Sequence, residues 1–180
     1  MFELLPLALQ GAFEVRPKVH EDARGLFCKL FHRGLFAEAG LADDFAEDYY
    51  SVSVAGVVRG LHFQRPPHDH AKLVYCLSGA ATDILLDLRR GSATYGQHVK
   101  IQLSEAARNG VYIPSGFAHG FCVAEGQATL LYKTSTVHAP ASDSGIRWDS
   151  AGIDWPVAAP LLSERDRALP TLAQFESPFP

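Results

Sequence analysis

Short runs in which apolar and polar residues alternate dominate this chain, and they limit its fold more than any other feature. In HVKIQL (98–103), Val99, Ile101 and Leu103 share one face while Lys100 and Gln102 share the other. In ATDILLDLRR (81–90), Thr82, Ile84, Leu86 and Leu88 alternate with Asp83, Leu85, Asp87 and Arg89. AKLVYCLSG (71–79) and TLLYKTSTV (129–137) are further runs rich in strand formers. A period of two places successive side chains on opposite faces of a strand. Fifteen Gly and eleven Pro punctuate the runs. Turns are expected at Gly79, Arg90-Gly91-Ser92, Asn109-Gly110, Pro114-Ser115-Gly116 and Glu125-Gly126. Many short strands joined by turns imply an all-β sandwich or barrel. A jelly roll also removes most open sheet edges.

Helical patterns are few. His32–Leu41 predicts a short helix with Leu35, Phe36 and Ala39 turned inward, and Ser163–Ala168 predicts another with Ser163 as its N-cap. At 180 residues the chain suits a single domain, 1–180, with a core large enough to need no disulfide or metal staple. A net charge of −4 argues against a nucleic-acid binder, which is usually basic. No apolar stretch approaches the roughly 18 residues of a membrane span. The opening MFELLPLALQGAFEV lacks a basic flank and carries Glu3, so it reads poorly as a secretory signal. Cys28, Cys76 and Cys122 are odd in number and far apart, which suggests buried thiols in a reduced compartment, by default the cytoplasm.

The most unusual stretch, VVRGLHFQRPPHDHAKLVYCLSG (57–79), crowds Arg59, His62, His68, His70 and Lys72 among apolar strand residues. A polar group inside an apolar strand must find a partner or face a cavity. By alternation His62 points away from Leu61 and Phe63, together with Gly60 and Gln64. A hydrogen-bonded structural histidine fits the same position. Lys72 opens an apolar strand, and lysine is rarely buried without a reason. His119 follows a Pro-Gly turn, Tyr132 lies within LLYKT, and Asp166 lies near the C-terminus. Two chemistries fit these parts. His68, His70 and His119 form a partial metal-ligand set, but Ala71–Ser78 lacks the carboxylate that would complete it. A metal-free alternative joins a His base, an orienting carboxylate, a Lys beside a developing oxyanion and a Tyr acid.

Read together, the motifs resemble those of the dTDP-4-dehydrorhamnose 3,5-epimerase family. They are DARGLF (22–27), GVVRGLHFQRPP (56–67), KLVYCLSG (72–79), DLRRGSATYG (87–96), IPSGFAHGF (113–121), LYKT (131–134), GIRWDSAGIDWP (145–156) and LSERD (162–166), and they cover nearly the whole chain in the family's order. The resemblance implies a cupin-like jelly roll with short peripheral helices. It also implies a homodimer that uses no cofactor or metal, and a nucleotide-diphosphate sugar as substrate. It assigns His62 as base, Asp166 as its dyad partner, Lys72 as enolate stabiliser and Tyr132 as acid. Arg24, Phe27, Arg59 and His119 would bind substrate, with the arginines towards the pyrophosphate.

Several binding positions depart from the family pattern. Glu47 and Tyr49 stand where a QxNxS motif has Gln and Asn, Lys29 replaces a Glu, His70 a Gln and His138 a Tyr. Glu47 and Lys29 invite a charge pairing. The reaction implied is epimerisation at C3 and C5 of a dTDP-linked 4-keto-6-deoxyhexose. Epimerisation at C3 only, a different nucleotide sugar, a metal-dependent cupin enzyme and a binding module without catalysis stand as alternatives.

Overall fold

The computed structural model describes residues 2–180. The first strands are β1 (Phe2–Pro6), β2 (Phe13–Pro17), β3 (Val19–Asp22) and β4 (Gly25–Cys28), followed by helix α1 (Arg33–Glu38). The central strands are β5 (Glu47–Val54), β6 (Val58–Gln64), β7 (Lys72–Ser78), β8 (Ala80–Asp87) and β9 (His98–Ser104). Then come β10 (Gly110–Ile113), β11 (Phe117–Cys122), β12 (Gln127–Thr134), β13 (Asp143–Gly145) and α2 (Glu164–Ala168).

One sheet has the order β1-β2-β10-β7-β12-β5 and the other β13-β6-β11-β8-β9, while β3 and β4 form a separate hairpin. From β5 to β13 the chain passes back and forth between the two sheets, staying in one only from β8 to β9. All paired strands are antiparallel. This is the expected cupin-like jelly roll.

The alternation read from the sequence decides the packing. On β8, Ala81 and Leu85 pack between the sheets with Val74, Leu103 and Leu130. Ile84 and Leu86 point the other way, under a cover of Trp155, Phe175 and Phe179 from the C-terminal segment. Both faces of this strand are therefore buried, and each buried Leu or Ile contributes roughly 1.5–3 kcal/mol of hydrophobic stabilisation. A third cluster packs Leu73, Tyr75 and Tyr112 beneath Phe36 of α1. The C-terminal cover is tied to β6: Val58 N–H donates to Leu161 carbonyl at 3.1 Å and Leu161 N–H donates to Gly56 carbonyl at 2.8 Å. That tie brings the second helix next to β6.

Three local expectations change. Ala39 is exposed, and only Phe36 of α1 is fully buried. The Asn109-Gly110 turn lies earlier, over 105–108, with Arg108 at φ 52°. Gly110 instead opens β10, where an added Cβ would sit 2.4 Å from the Tyr75 ring. Of the three free cysteines, Cys76 and Cys122 are buried and Cys28 is half-buried. Among the described residues, no helix is long and apolar enough to cross a membrane.

Candidate active site

Between the sheets the inward positions turn polar at one end, and a cavity of about 410 Å³ opens there. Its size suits a small-molecule ligand. His62, on β6, faces it because Leu61 and Phe63 are committed to the outer cluster. Asp166, buried on α2, meets His62 with Oδ1 2.6 Å from Nε2. Two further bonds fix that residue. The Ser163 hydroxyl caps α2 by accepting from Asp166 N–H at 3.1 Å, and Gly60 N–H donates to Asp166 Oδ2 at 3.3 Å. Position 60 requires glycine: its φ is +127° and a Cβ would lie 2.6 Å from Gly120 Cα.

A carboxylate at Nε2 accepts the proton held there, so Nδ1 is the basic nitrogen. Burial pushes the His62 pKa down, against the pull of Asp166, and the result lies below the ordinary 6.5. Burial pushes the Asp166 carboxyl up, but the bonds from His62 and Gly60 outweigh it and hold the group below its usual range. At neutral pH the pair is a neutral imidazole backed by a carboxylate.

Lys72, at the start of β7, is 7% exposed. Its Nζ donates to the His62 carbonyl at 3.1 Å, which places a cation beside the base. Burial brings its pKa down to about 8, with Asp143 and Asp83 partly opposing the shift. It stays mostly charged at pH 7. His119, on β11, is the Cα partner of His62, and its Nε2 lies 2.8 Å from Asp83 Oδ2. Burial raises the Asp83 carboxyl. Tyr132, on β12, is buried with its hydroxyl 3.2 Å from Ser51 Oγ. Burial pushes its phenol well above the usual value, so it keeps its proton at any ordinary pH.

His62 belongs to the five-stranded sheet, whereas Tyr132 and Lys72 belong to the six-stranded one. An imidazole therefore enters the cavity from one sheet and a phenol from the other. Arg59 lines the same cavity, its Nε donating to Ser53 Oγ at 3.0 Å. Glu47, Tyr49 and His138 line it as well, and Glu47 accepts from His138 N–H at 2.6 Å.

Three expected binding residues lie elsewhere. Arg24, Phe27 and Lys29 are exposed on or beside the β3–β4 hairpin and do not line this cavity. Arg24 is tied to Asp22 at 2.5 Å. Glu47 and Lys29 do not pair among the described residues: Glu47 lines the cavity and accepts from His138 N–H, while Lys29 lies exposed beside the hairpin. The donors of the metal alternative do not gather. His68 is exposed, His119 Nε2 is taken by Asp83, and of the three histidines His70 offers a buried Nε2 without a partner among the described residues. Among the described residues no three His, Cys, Asp or Glu side chains gather to hold a metal ion.

Asp83, Ser51, Gln64, Asp143 and Arg165 also belong to the site, although the sequence assigns them no role. Asp83 carried a signal: a carboxylate inside an otherwise apolar strand needs a partner. Gln64 staples two loops, donating to His68 carbonyl at 2.7 Å and accepting from Ala139 N–H at 2.6 Å. Arg165 and Asp143 pair at 2.8 Å on the cavity wall.

Comparison with known proteins agrees with this geometry. Residues 6–174 match the family model described as dTDP-4-dehydrorhamnose 3,5-epimerase. The dTDP-4-dehydrorhamnose 3,5-epimerase of Shigella flexneri is 42% identical over 153 residues, 83% of this chain and 84% of that one. The dTDP-4-dehydrorhamnose 3-epimerase of Streptomyces niveus is 42% identical over 174 residues, 95% of this chain and 84% of that one. The structure of the dTDP-6-deoxy-D-glucose-3,5-epimerase of Legionella pneumophila in complex with dTDP-4-keto-L-rhamnose superposes with a TM-score of 0.93. It is 34% identical, with 98% of this chain and 95% of that one covered. The fold, the paired histidines and these likenesses converge: the chain belongs to the dTDP-4-dehydrorhamnose 3,5-epimerase family.

Proposed function

We propose that this protein inverts C3 and C5 of a dTDP-linked 4-keto-6-deoxyhexose by proton removal and return. One observation carries the reading: an imidazole backed by a carboxylate and a phenol enter one cavity from opposite sheets. His62 Nδ1 takes the proton on the carbon next to the ketone. The C–H electron pair forms a carbon–carbon double bond, and the carbonyl pair moves to oxygen. Lys72 faces that enolate oxygen with its ammonium group, worth most where water is excluded. Tyr132 delivers its proton to the other face of the carbon, the double bond closes onto it, and the carbonyl reforms. Imidazolium and phenolate then exchange protons with solvent. The same sequence at the second carbon completes the reaction.

Arg59 and His119 bind the substrate within the chain. Arg24, Phe27 and Lys29 serve the cavity of a second copy in a homodimer, as the family resemblance implies. Leu26 and Phe27 on the hairpin and Tyr50, Val52 and Val54 on the outer face of β5 are exposed, which supports such a contact. The separated free thiols fit a cytoplasmic setting. The Streptomyces niveus likeness supports a second reading, inversion at C3 alone.

Proton NMR in heavy water with dTDP-4-keto-6-deoxyglucose decides. Loss of both the H3 and H5 signals with formation of the inverted product is the expected result. Loss of H3 alone selects the second reading, and retention of both signals overturns the proposal.

A further inference from the structure

We propose that Tyr49 is a positioning residue that holds the Tyr132 ring where its hydroxyl can reach the substrate carbon. This rests on the reading of Tyr132 as the acid. Tyr49 and Tyr132 are Cα partners across β5 and β12, so both rings point into the same cavity. Their centroids are 4.8 Å apart and their planes meet at 15°. Offset stacking at this distance favours one mutual orientation.

Two other contacts act on Tyr132 from different directions. Ser51, two residues along β5 from Tyr49, sits 3.2 Å from the hydroxyl. The His119 ring approaches edge-on, with centroids 6.1 Å apart and planes at 67°. His119 is itself held by Asp83 at 2.8 Å. The hydroxyl contact fixes one end of the phenol, and the stack and the edge contact fix the plane of its ring. Without the stack, the ring can swing about its first side-chain torsion into the open cavity. Proton return to carbon is sensitive to such a swing, since a misplacement of about 1 Å can cost on the order of 10²-fold in rate. In this chain the stack comes from an aromatic neighbour that is itself 43% exposed.

Two variants and two readouts test this. Tyr49→Phe keeps the ring and loses only the hydroxyl, whereas Tyr49→Asn removes the stack. In heavy water, Tyr49→Asn should slow formation of inverted product by about tenfold or more, while proton loss to solvent, driven by His62, stays within about twofold of the parent. Tyr49→Phe should keep the parent's ratio of inversion to exchange, whatever the lost hydroxyl does to substrate affinity. The second readout needs no turnover. In protein with labelled tyrosine rings, the Tyr132 signal (identified by its loss in Tyr132→Phe) should move downfield in Tyr49→Asn and stay in place in Tyr49→Phe. Parallel loss of exchange and inversion, a change confined to KM, or an unmoved Tyr132 signal would each overturn the positioning role and leave the acid role standing. A parent protein that exchanges no proton would instead remove the acid role, and the catalytic meaning of the stack with it.

Discussion

Two histidine–aspartate pairs face each other across neighbouring strands, and they differ in access rather than in composition. His62 and His119 are Cα partners on β6 and β11. In the first pair the side chains are 28% and 4% exposed, and in the second 4% and 0%. Asp166 is held below its usual pKa by its bonds, whereas burial lifts Asp83 above it. A depressed carboxylate supports an imidazolium; a raised one supports it less. A base needs an ionised partner and access to its substrate together, and the His62 pair is the one that combines a depressed carboxylate with a partly exposed imidazole. His119 is nearly sealed, and it serves better as a fixed wall against the substrate and the Tyr132 ring.

Removing each histidine tests that division most strongly. His62→Ala should lower kcat by about 10²–10⁴-fold with little change in KM, the range typical of a general base. His119→Ala should act more on KM. Steady-state kinetics on the two variants reads the split directly, and equal kcat losses would erase the distinction.

Stability should rank the carboxylates the other way. Removing one partner of a buried pair strands the other, at a cost of about 3–5 kcal/mol. Asp83→Ala leaves His119 sealed without its partner and should fall in that range. Asp166→Ala leaves His62 open to water and should cost less. Urea unfolding of both variants measures the difference, and a larger loss for Asp166→Ala would contradict the burial argument.

The pH profile sharpens the comparison further. Lowering the pH protonates His62 and removes the base, so activity should fall on an acid limb below pH 6.5. Raising the pH takes the proton from Lys72, removes the cation facing the enolate, and should give an alkaline limb near about 8. Beyond each limb kcat should change about tenfold per pH unit. Because Asp166 raises the His62 pKa, Asp166→Ala should move the acid limb to lower pH, while Asp83→Ala should leave it in place. A limb that moves in Asp83→Ala would identify His119 as the titrating base.

Much of this arrangement was legible in the sequence, for a local reason. Strand alternation depends on neighbours along the chain, so the inward aim of His62 and the two faces of β8 could be read from a few residues. The Ser163 cap of α2 is equally local. Pairing across the chain was not. Asp166 lies 104 residues from His62 and meets it only because the C-terminal cover is tied to β6. The role of Gly110 depends on Tyr75 of a neighbouring strand, so its place in β10 rather than in the turn is not visible locally. The likeness to a known family supplied the dyad, but it could not show that Tyr49 stacks on Tyr132. That contact depends on the register of two strands, which no single stretch of sequence displays.

The smallest expected effect concerns the hydroxyl end of Tyr132. Ser51 Oγ is its hydrogen-bond partner at 3.2 Å. When Ser51 donates, the phenol hydrogen is free to point at the substrate, and after transfer the same bond stabilises the phenolate. A single bond of this kind is worth about 0.5–1.5 kcal/mol net. Ser51→Ala should therefore slow inversion by roughly twofold to tenfold while proton loss to solvent, which starts at His62, is unchanged. Comparing exchange and inversion in one heavy-water experiment separates the two steps. If Ser51→Ala slows both alike, the hydroxyl bond acts on substrate placement and not on proton return. The phenol would then be held by its ring contacts alone.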